Sequence, residues 1–257
     1  MSGGVDSTAA AILLQEQGYT VVGATMKLFD SADTKDAEEV CSFLGIPHHI
    51  LDFKEEFRKR VIEDFIKEYE EGKTPNPCVQ CNKFLKFGIM YEKAKELGCE
   101  YIATGHYAQT EYSEEYECYV IKKAVSEKKD QTYVLYNIPK EIVSKVKFPL
   151  GSFENKEQIR EVVERKGLKI AQKPDSQEIC FIQDNNYVRF LKEHNIKEKK
   201  GNIVTVKGEV LGTHKGLINY TIGQRKGLGI AHKTPLYVIK LDTEKNEVIV
   251  RGRGKFI

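Results

Sequence analysis

Three short strings carry residue types that do chemistry. The first is Ser2-Gly3-Gly4-Val5-Asp6-Ser7, at the head of a run, Thr8–Gln17, that reads as a helix ending at Gly18. Two glycines let the backbone approach a ligand closely. Ser2, Asp6 and Ser7 supply oxygens, and the unsatisfied N–H groups and dipole of a helix start attract an anion. No Gly-Lys-Ser/Thr follows, so this is not a Walker A loop. The second string is Thr74-Pro75-Asn76-Pro77-Cys78-Val79-Gln80-Cys81-Asn82. Its prolines stiffen the chain. Cys81, placed at the start of a helix, is expected to have a lowered thiol pKa. A C-x-x-C is also half of a zinc site, but no second C-x-x-C or H-x3–5-H completes it. The plain alternative is a pair of inert buried thiols. The third string is Asp175-Ser176-Gln177-Glu178-Ile179-Cys180-Phe181-Ile182, which alone reads as a cysteine entering a core.

The elements that must position these strings alternate up to about residue 105. Tyr19–Leu28 and His49–Phe53 read as buried strands, with Ala37–Leu44 a helix between them. Glu55–Tyr69 carries Phe57, Val61, Phe65 and Tyr69 at four-residue spacing, a helix signature. Phe84, Phe87, Tyr91, Ala94 and Leu97 mark another helix, and Glu100–Ala103 a strand running into Thr104-Gly105-His106. Such alternation predicts an α/β fold, a parallel sheet with flanking helices. Later, Glu117–Lys122 reads as a strand, and Asn155–Lys166 as a helix with Ile159, Val162 and Val163 on one face. From Gly201 onward, glycines separate short β-branched runs (Ile203–Val206, Glu209–Leu211, Leu236–Leu241 and Val248–Val250), the pattern of a small C-terminal β unit. The boundary is placed in the charged stretch before Gly201, giving domains 1–196 and 197–257.

Composition narrows the class. The 257 residues are 40% hydrophobic and 30% charged, as in ordinary soluble domains. No apolar run approaches the roughly 20 residues of a membrane span. Six scattered cysteines do not make a secreted disulfide scaffold, so a reducing, cytoplasmic setting is expected. Cys41, Cys99 and Cys118 fall in helix or strand patterns and read as core or surface thiols. Charge is unevenly spread: residues 197–257 hold 13 basic and 5 acidic side chains, the rest 27 and 33. A basic C-terminal quarter suggests a polyanionic partner.

The string S-G-G-V-D-S resembles the pyrophosphate-binding loop of the PP-loop ATP pyrophosphatases, adenine-nucleotide α-hydrolase-like enzymes that adenylate a substrate. Taken in order with N-P-C-x-x-C-N and Asp175–Ile182, it resembles the tRNA-specific 2-thiouridylases. Supporting strings are Ala103-Thr104-Gly105-His106-Tyr107, Lys129-Asp130-Gln131-Thr132-Tyr133 and Gly223-Gln224-Arg225-Lys226-Gly227-Leu228-Gly229. The resemblance implies that Met1, Ser2, Gly3, Gly4, Val5, Asp6 and Ser7 hold the ATP phosphates, with Met26 and Gly105 lining the nucleotide. It implies that Asn76, Pro77 and Cys78 meet the target base, and that His106, Lys129, Asp130 and Gln131 touch tRNA. Cys81 becomes the nucleophile and Cys180 the persulfide carrier, with a Cys81–Cys180 disulfide during turnover. ATP and magnesium (Mg2+) are the implied cofactors; tRNA and a cysteine desulfurase or sulfur-relay protein are the implied partners, with no membrane. It further implies that Met1 is an internal methionine after a first strand, and that a further C-terminal barrel lies beyond Ile257.

Three other readings stand beside this one. An ammonia-using ligase or GMP synthetase shares the loop but leaves the cysteine pair without a task. A non-catalytic RNA-binding remnant would keep the basic quarter and lose turnover. Many members of the resembled family carry Asp where this chain has Cys78. That departure motivates a variant in which Cys78, Cys81 and Cys180 ligate a [4Fe–4S] cluster.

Overall fold

The computed structural model describes residues 1–31, 33–172 and 179–252. In chain order its main elements are α1 (Val5–Glu16), β1 (Gly23–Lys27), α2 (Lys35–Leu44), β2 (His48–Asp52) and α3 (Lys54–Phe57). A π-helical turn, Arg58–Ile62, precedes α4 (Glu63–Glu70). Next come α5 (Pro77–Gln80), a π-helix Cys81–Ile89, α6 (Met90–Glu96), β3 (Ile102–Ala103), β4 (Ala108–Ser113), β5 (Cys118–Lys123) and β6 (Val146–Lys147). The chain closes with α7 (Lys156–Glu164), α8 (Tyr187–Glu193), β7 (Gly201–Thr205), β8 (Val210–His214), β9 (Leu236–Asp242) and β10 (Glu247–Gly252).

These residues form two compact units. The first comprises Met1–Val61 and Cys78–Gln177, the second Ile62–Pro77 and Glu178–Ile257. Sequence reading divides the chain at 196/197. In the structure, residues 62–77 and the stretch after 178 belong with the C-terminal strands. Cys81 and Cys180 thus belong to different units.

In the first unit, β1 pairs with β2 in parallel, Gly23 opposite His48 and Lys27 opposite Asp52. β3 pairs in parallel with β6. β4 and β5 form an antiparallel hairpin, Ala108 opposite Lys123. The α/β alternation expected from sequence is present, as two parallel pairs flanked by helices. The core explains the helices: alanines 9 and 10 of α1 are buried with Ile159, Val162 and Val163, the face expected of α7. Small residues on α1 allow close helix approach, and Asn155 caps α7 by accepting from Gln158 N at 3.0 Å.

In the second unit, β10 lies between β7 (parallel) and β9 (antiparallel), with β8 outside β7. Ile203, Val238, Val248 and Val250 fill its core. A second cluster joins Phe65 and Tyr69 to Ile182 and Leu191. The stripe Phe57, Val61, Phe65 and Tyr69 is buried throughout, as its spacing predicts. The expected uninterrupted α-helix is instead α3, a π turn and α4. The helix expected around Phe84–Leu97 begins earlier, at Pro77, where proline's missing N–H is harmless.

Candidate active site

Loop 1–7 wraps the start of α1. Gly3 has φ +67°, and a Cβ there would stand 2.5 Å from Asp36 Cβ, so only glycine fits. The Ser2 and Ser7 hydroxyls lie 3.0 Å apart. Ser7 Oγ accepts from Ser2 N at 3.2 Å and donates to Gly4 O at 3.1 Å. Gly4, the helix cap, brings no side-chain cap, which leaves the first-turn N–H groups to an anion. Met1 lies beside β1: its amino group donates to Ala24 O, and Thr25 Oγ1 donates to Met1 O at 2.7 Å. Met26, half-buried on the same strand, sits opposite Leu51.

Asp6 is the loop's one carboxylate. Its Oδ1 accepts from Lys156 Nζ at 2.7 Å and from Tyr107 OH at 2.9 Å. Lys156 is 8% exposed, so α7 delivers a buried cation to the loop. Gly105 abuts Asp6 directly: a Cβ there would lie 2.8 Å from the Asp6 carbonyl carbon. Gly105 and loop 1–7, paired by the resemblance, are therefore adjacent.

His106 follows. Thr104 Oγ1 and His106 Nδ1 are hydrogen-bonded at 2.8 Å. The ring packs near Phe87 and Phe148, with centroids at 6.2 and 6.3 Å. Burial, and secondarily the Lys86 charge, hold its pKa well below the ordinary 6.5, so the imidazole is neutral. Asp130 and Gln131 have internal partners. Asp130 Oδ1 accepts from Ala124 N at 2.8 Å, and Gln131 Oε1 accepts from Tyr107 N at 2.9 Å. They fix the segment carrying His106 and Tyr107; Lys129 is half-buried beside them.

In the cysteine string, Asn76 is exposed, Pro77 buried and Cys78 exposed. Cys81 is buried, and burial raises its thiol pKa; Lys86 lowers it and Cys78 raises it further. This corrects the expectation of a lowered pKa. The helix starts at Pro77, so Cys81 stands a full turn inside, where desolvation outweighs the dipole. Asn82 donates from Nδ2 to Val134 O at 2.9 Å, while its buried Oδ1 has no hydrogen-bond partner among the described residues.

Of the third string, Asp175–Glu178 lie outside the described residues. Cys180 is exposed in a turn. Phe181 next to it packs edge-on to Phe65 at 5.4 Å, and Ile182 is 2% exposed. An exposed thiol on an anchored base suits a sulfur carrier. Cys41 is buried, whereas Cys99 and Cys118 are half-buried. Among the described residues, no three His, Cys, Asp or Glu side chains gather as a metal site, and no helix is long and apolar enough to cross a membrane.

Sequence reading gave Lys156, Tyr107 and Lys86 no role. Lys156 left a trace: a lysine in the first turn of a helix opposes the dipole, so something else must hold it. Lys86 left none.

The chain matches the model of the tRNA methyl transferase HUP domain over residues 1–184 and that of the tRNA methyl transferase PRC-barrel domain over residues 188–252. It is 47% identical to the tRNA-specific 2-thiouridylase MnmA of Clostridioides difficile, covering 97% of this chain and 73% of the relative. It is 48% identical to the MnmA of Acetivibrio thermocellus, over 97% and 74%. It is 46% identical to MnmA 2 of Caldanaerobacter subterraneus subsp. tengcongensis, over 99% and 74%. By identity and coverage alike, this chain belongs to the family of the tRNA-specific 2-thiouridylases.

Proposed function

We propose that this chain carries out ATP-dependent 2-thiolation of the wobble uridine of tRNA. The observation that carries the nucleotide half is the clamp at Asp6: a glycine-shaped loop at a helix start, its carboxylate held by Lys156 and Tyr107, with Gly105 pressed against it. The loop amides and hydroxyls bind phosphate oxygens. Asp6 and the serines are hard oxygen donors that fit magnesium, which supplies charge neutralisation on the phosphates.

A uridine carbonyl oxygen is a poor leaving group. Its attack on the α-phosphorus of ATP releases pyrophosphate and leaves the oxygen adenylated. The outer sulfur of a Cys180 persulfide then attacks C2, and AMP departs. Cys81 thiolate attacks the Cys180 sulfur, so the carbon-bound sulfur remains on the base and a Cys81–Cys180 disulfide forms. A thiol reductant returns both cysteines. Exposed Cys180 suits loading by a cysteine desulfurase or relay protein, and buried Cys81 suits a step shielded from solvent. The last step requires the two Cα atoms to approach within roughly 7 Å, in the resting chain or on tRNA binding. Exposed Asn76 and Cys78 would meet the base, half-buried His106 and Lys129 the RNA, and the basic residues of 197–257 its backbone.

The test is thionucleoside analysis of tRNA incubated with the chain, ATP and a sulfur donor. Wild type should form 2-thiouridine and release pyrophosphate. Cys180→Ser should not load labelled sulfur, whereas Cys81→Ser should load it and fail to complete turnover. Equal loading of wild type and Cys180→Ser would remove both assignments.

A further inference from the structure

Two donors end on one oxygen of Asp6: Lys156 Nζ and Tyr107 OH reach its Oδ1 at 2.7 and 2.9 Å. The last torsion of an aspartate is broad and prefers no single angle, so these bonds decide how the carboxylate is turned. Lys156 comes from α7, Tyr107 from the residue before β4. Tyr107 is 3% exposed and packs in one cluster with Val5 and Ala9 of α1. Gln131 holds both polar groups of the Tyr107 backbone. Its N donates to Tyr107 O at 2.9 Å, and its Oε1 accepts from Tyr107 N at 2.9 Å. The amide atom facing Tyr107 N must be the oxygen, because an N–H requires an acceptor. Gln131 is in turn anchored on both sides. Asp130 Oδ1 accepts from Ala124 N at 2.8 Å and Oδ2 from Thr132 Oγ1 at 2.5 Å. Val134 N donates to Gln131 O at 3.1 Å, and Val134 O accepts from Nδ2 of buried Asn82 at 2.9 Å. Every link lies in the first unit.

We propose that Gln131 is a positioning residue of the adenylation step, acting on Asp6 through Tyr107. This rests on the thiolation reading and deepens it, since the resemblance implies for Gln131 a contact with tRNA. The amide oxygen serves Tyr107, and the NH2 donors remain for RNA, so one side chain joins the RNA-facing segment to the phosphate loop. Without Gln131 Oε1, a buried N–H loses its acceptor, and Tyr107 must move to find another. A small displacement of Tyr107 OH turns the Asp6 carboxylate, and misplacement of a preorganised group costs rate more than binding.

The test is two variants of the full chain and their double, read by pyrophosphate release at saturating ATP and tRNA. Tyr107→Phe removes one donor to Asp6 and should slow release by about tenfold, less than the roughly 100-fold of a donor touching the reacting atoms. Gln131→Met, which offers Tyr107 N no oxygen, should slow it by about fivefold. The double variant should match Tyr107→Phe, because Gln131 acts through Tyr107. Gln131→Glu keeps an acceptor and should recover most of the loss, while its new charge raises the KM for tRNA. Should Gln131→Met fail to fold by circular dichroism, Gln131→Ala carries the comparison. Hydrogen exchange of the Tyr107 amide reads the same bond without ATP. It should quicken by about tenfold in Gln131→Met and stay near wild type in Gln131→Glu. Losses that multiply to about fiftyfold in the double variant would overturn the proposal. So would a raised KM for tRNA in Gln131→Met at the saturating rate of wild type, which leaves Gln131 an RNA contact alone. Wild-type release with unchanged exchange in Gln131→Met overturns the proposal by itself. If the wild-type chain releases no pyrophosphate, the thiolation reading falls and the proposal with it.

Discussion

Asp6 and Lys156 are unequal partners, and the inequality predicts how each fails. The Lys156 side chain is 9% exposed and that of Asp6 33%. Asp6→Asn takes from a nearly buried ammonium the carboxylate that accepts from it at 2.7 Å, at a cost of about 2–3 kcal/mol, somewhat below a fully buried pair. Lys156→Met leaves a carboxylate that water still reaches, and should cost about 1 kcal/mol or less. Both should reduce ATP-dependent pyrophosphate release by on the order of 100-fold, because a preorganised charge at the phosphates is gone. The double variant should regain most of the stability and none of the activity. Urea unfolding beside pyrophosphate release checks this, and an additive double variant would show that the two residues do not act as a pair. His106 gives a second residue-scale prediction. Its folded pKa lies below the ordinary 6.5, so the unfolded chain takes up the proton first as pH falls. This contribution to stability is whole above about pH 6.5 and is lost as pH drops toward the folded value. Urea midpoints at about pH 7.5 and 5.5 should differ more for wild type than for His106→Gln; equal differences would contradict it.

At the scale of elements, α7 is held by a reciprocal cap. Asn155 Oδ1 accepts from Gln158 N, and Gln158 Oε1 accepts from Glu154 N at 3.0 Å. Because α7 carries Lys156 in its first turn, loosening the cap reaches the loop. Asn155→Ala should cost about 1 kcal/mol, lowering Tm by roughly 2–4 °C, and should raise the KM for ATP. A lowered Tm with unchanged KM would detach the cap from the site. The helices show what sequence makes legible. Ile159, Val162 and Val163 declared their face through spacing, and all three are buried. Glycines 3 and 4 before a helix declared a tight loop, and at Gly3 the positive φ and the Asp36 backbone leave room only for glycine. The π segments were hidden, because apolar residues four apart satisfy an α-helix and a π-helix equally over two turns. Strand β4 was missed because Gln109, Thr110 and Glu111 are polar; its partner β5 carries Val120 and Ile121 and was found. The Lys156–Asp6 bond spans 150 positions, and spacing patterns are local, so no periodicity could join them.

At the scale of the whole molecule, charge separates along the chain, and the structure shows what presents it. Gln224 staples the turn before Arg225. Its Oε1 accepts from Thr221 N at 2.9 Å, its Nε2 donates to Lys226 O at 3.0 Å, and its backbone O accepts from Val238 N at 3.0 Å. Leu228 is buried in the strand core and anchors the loop. Arg225, Lys226, His232 and Lys233 stay exposed. Residues 225 and 227–236 line an open groove of about 530 Å³, which contains no acidic side chain. A rigid basic loop of this kind suits a phosphate backbone, whose neutralised charges release counterions. tRNA affinity should therefore fall steeply with salt. Arg225→Gln together with Lys226→Gln should weaken binding and flatten the plot of log K against log salt by roughly 1.5–2, about one per lost phosphate contact. Pyrophosphate release at saturating tRNA should fall much less than affinity, since neither residue lies in loop 1–7 or in the cysteine string. Filter binding at four or five salt concentrations measures the slope. A shallow slope in wild type, or the same slope in the double variant, would move the RNA surface away from this loop. It would then fall to the half-buried His106 and Lys129 to carry the contact.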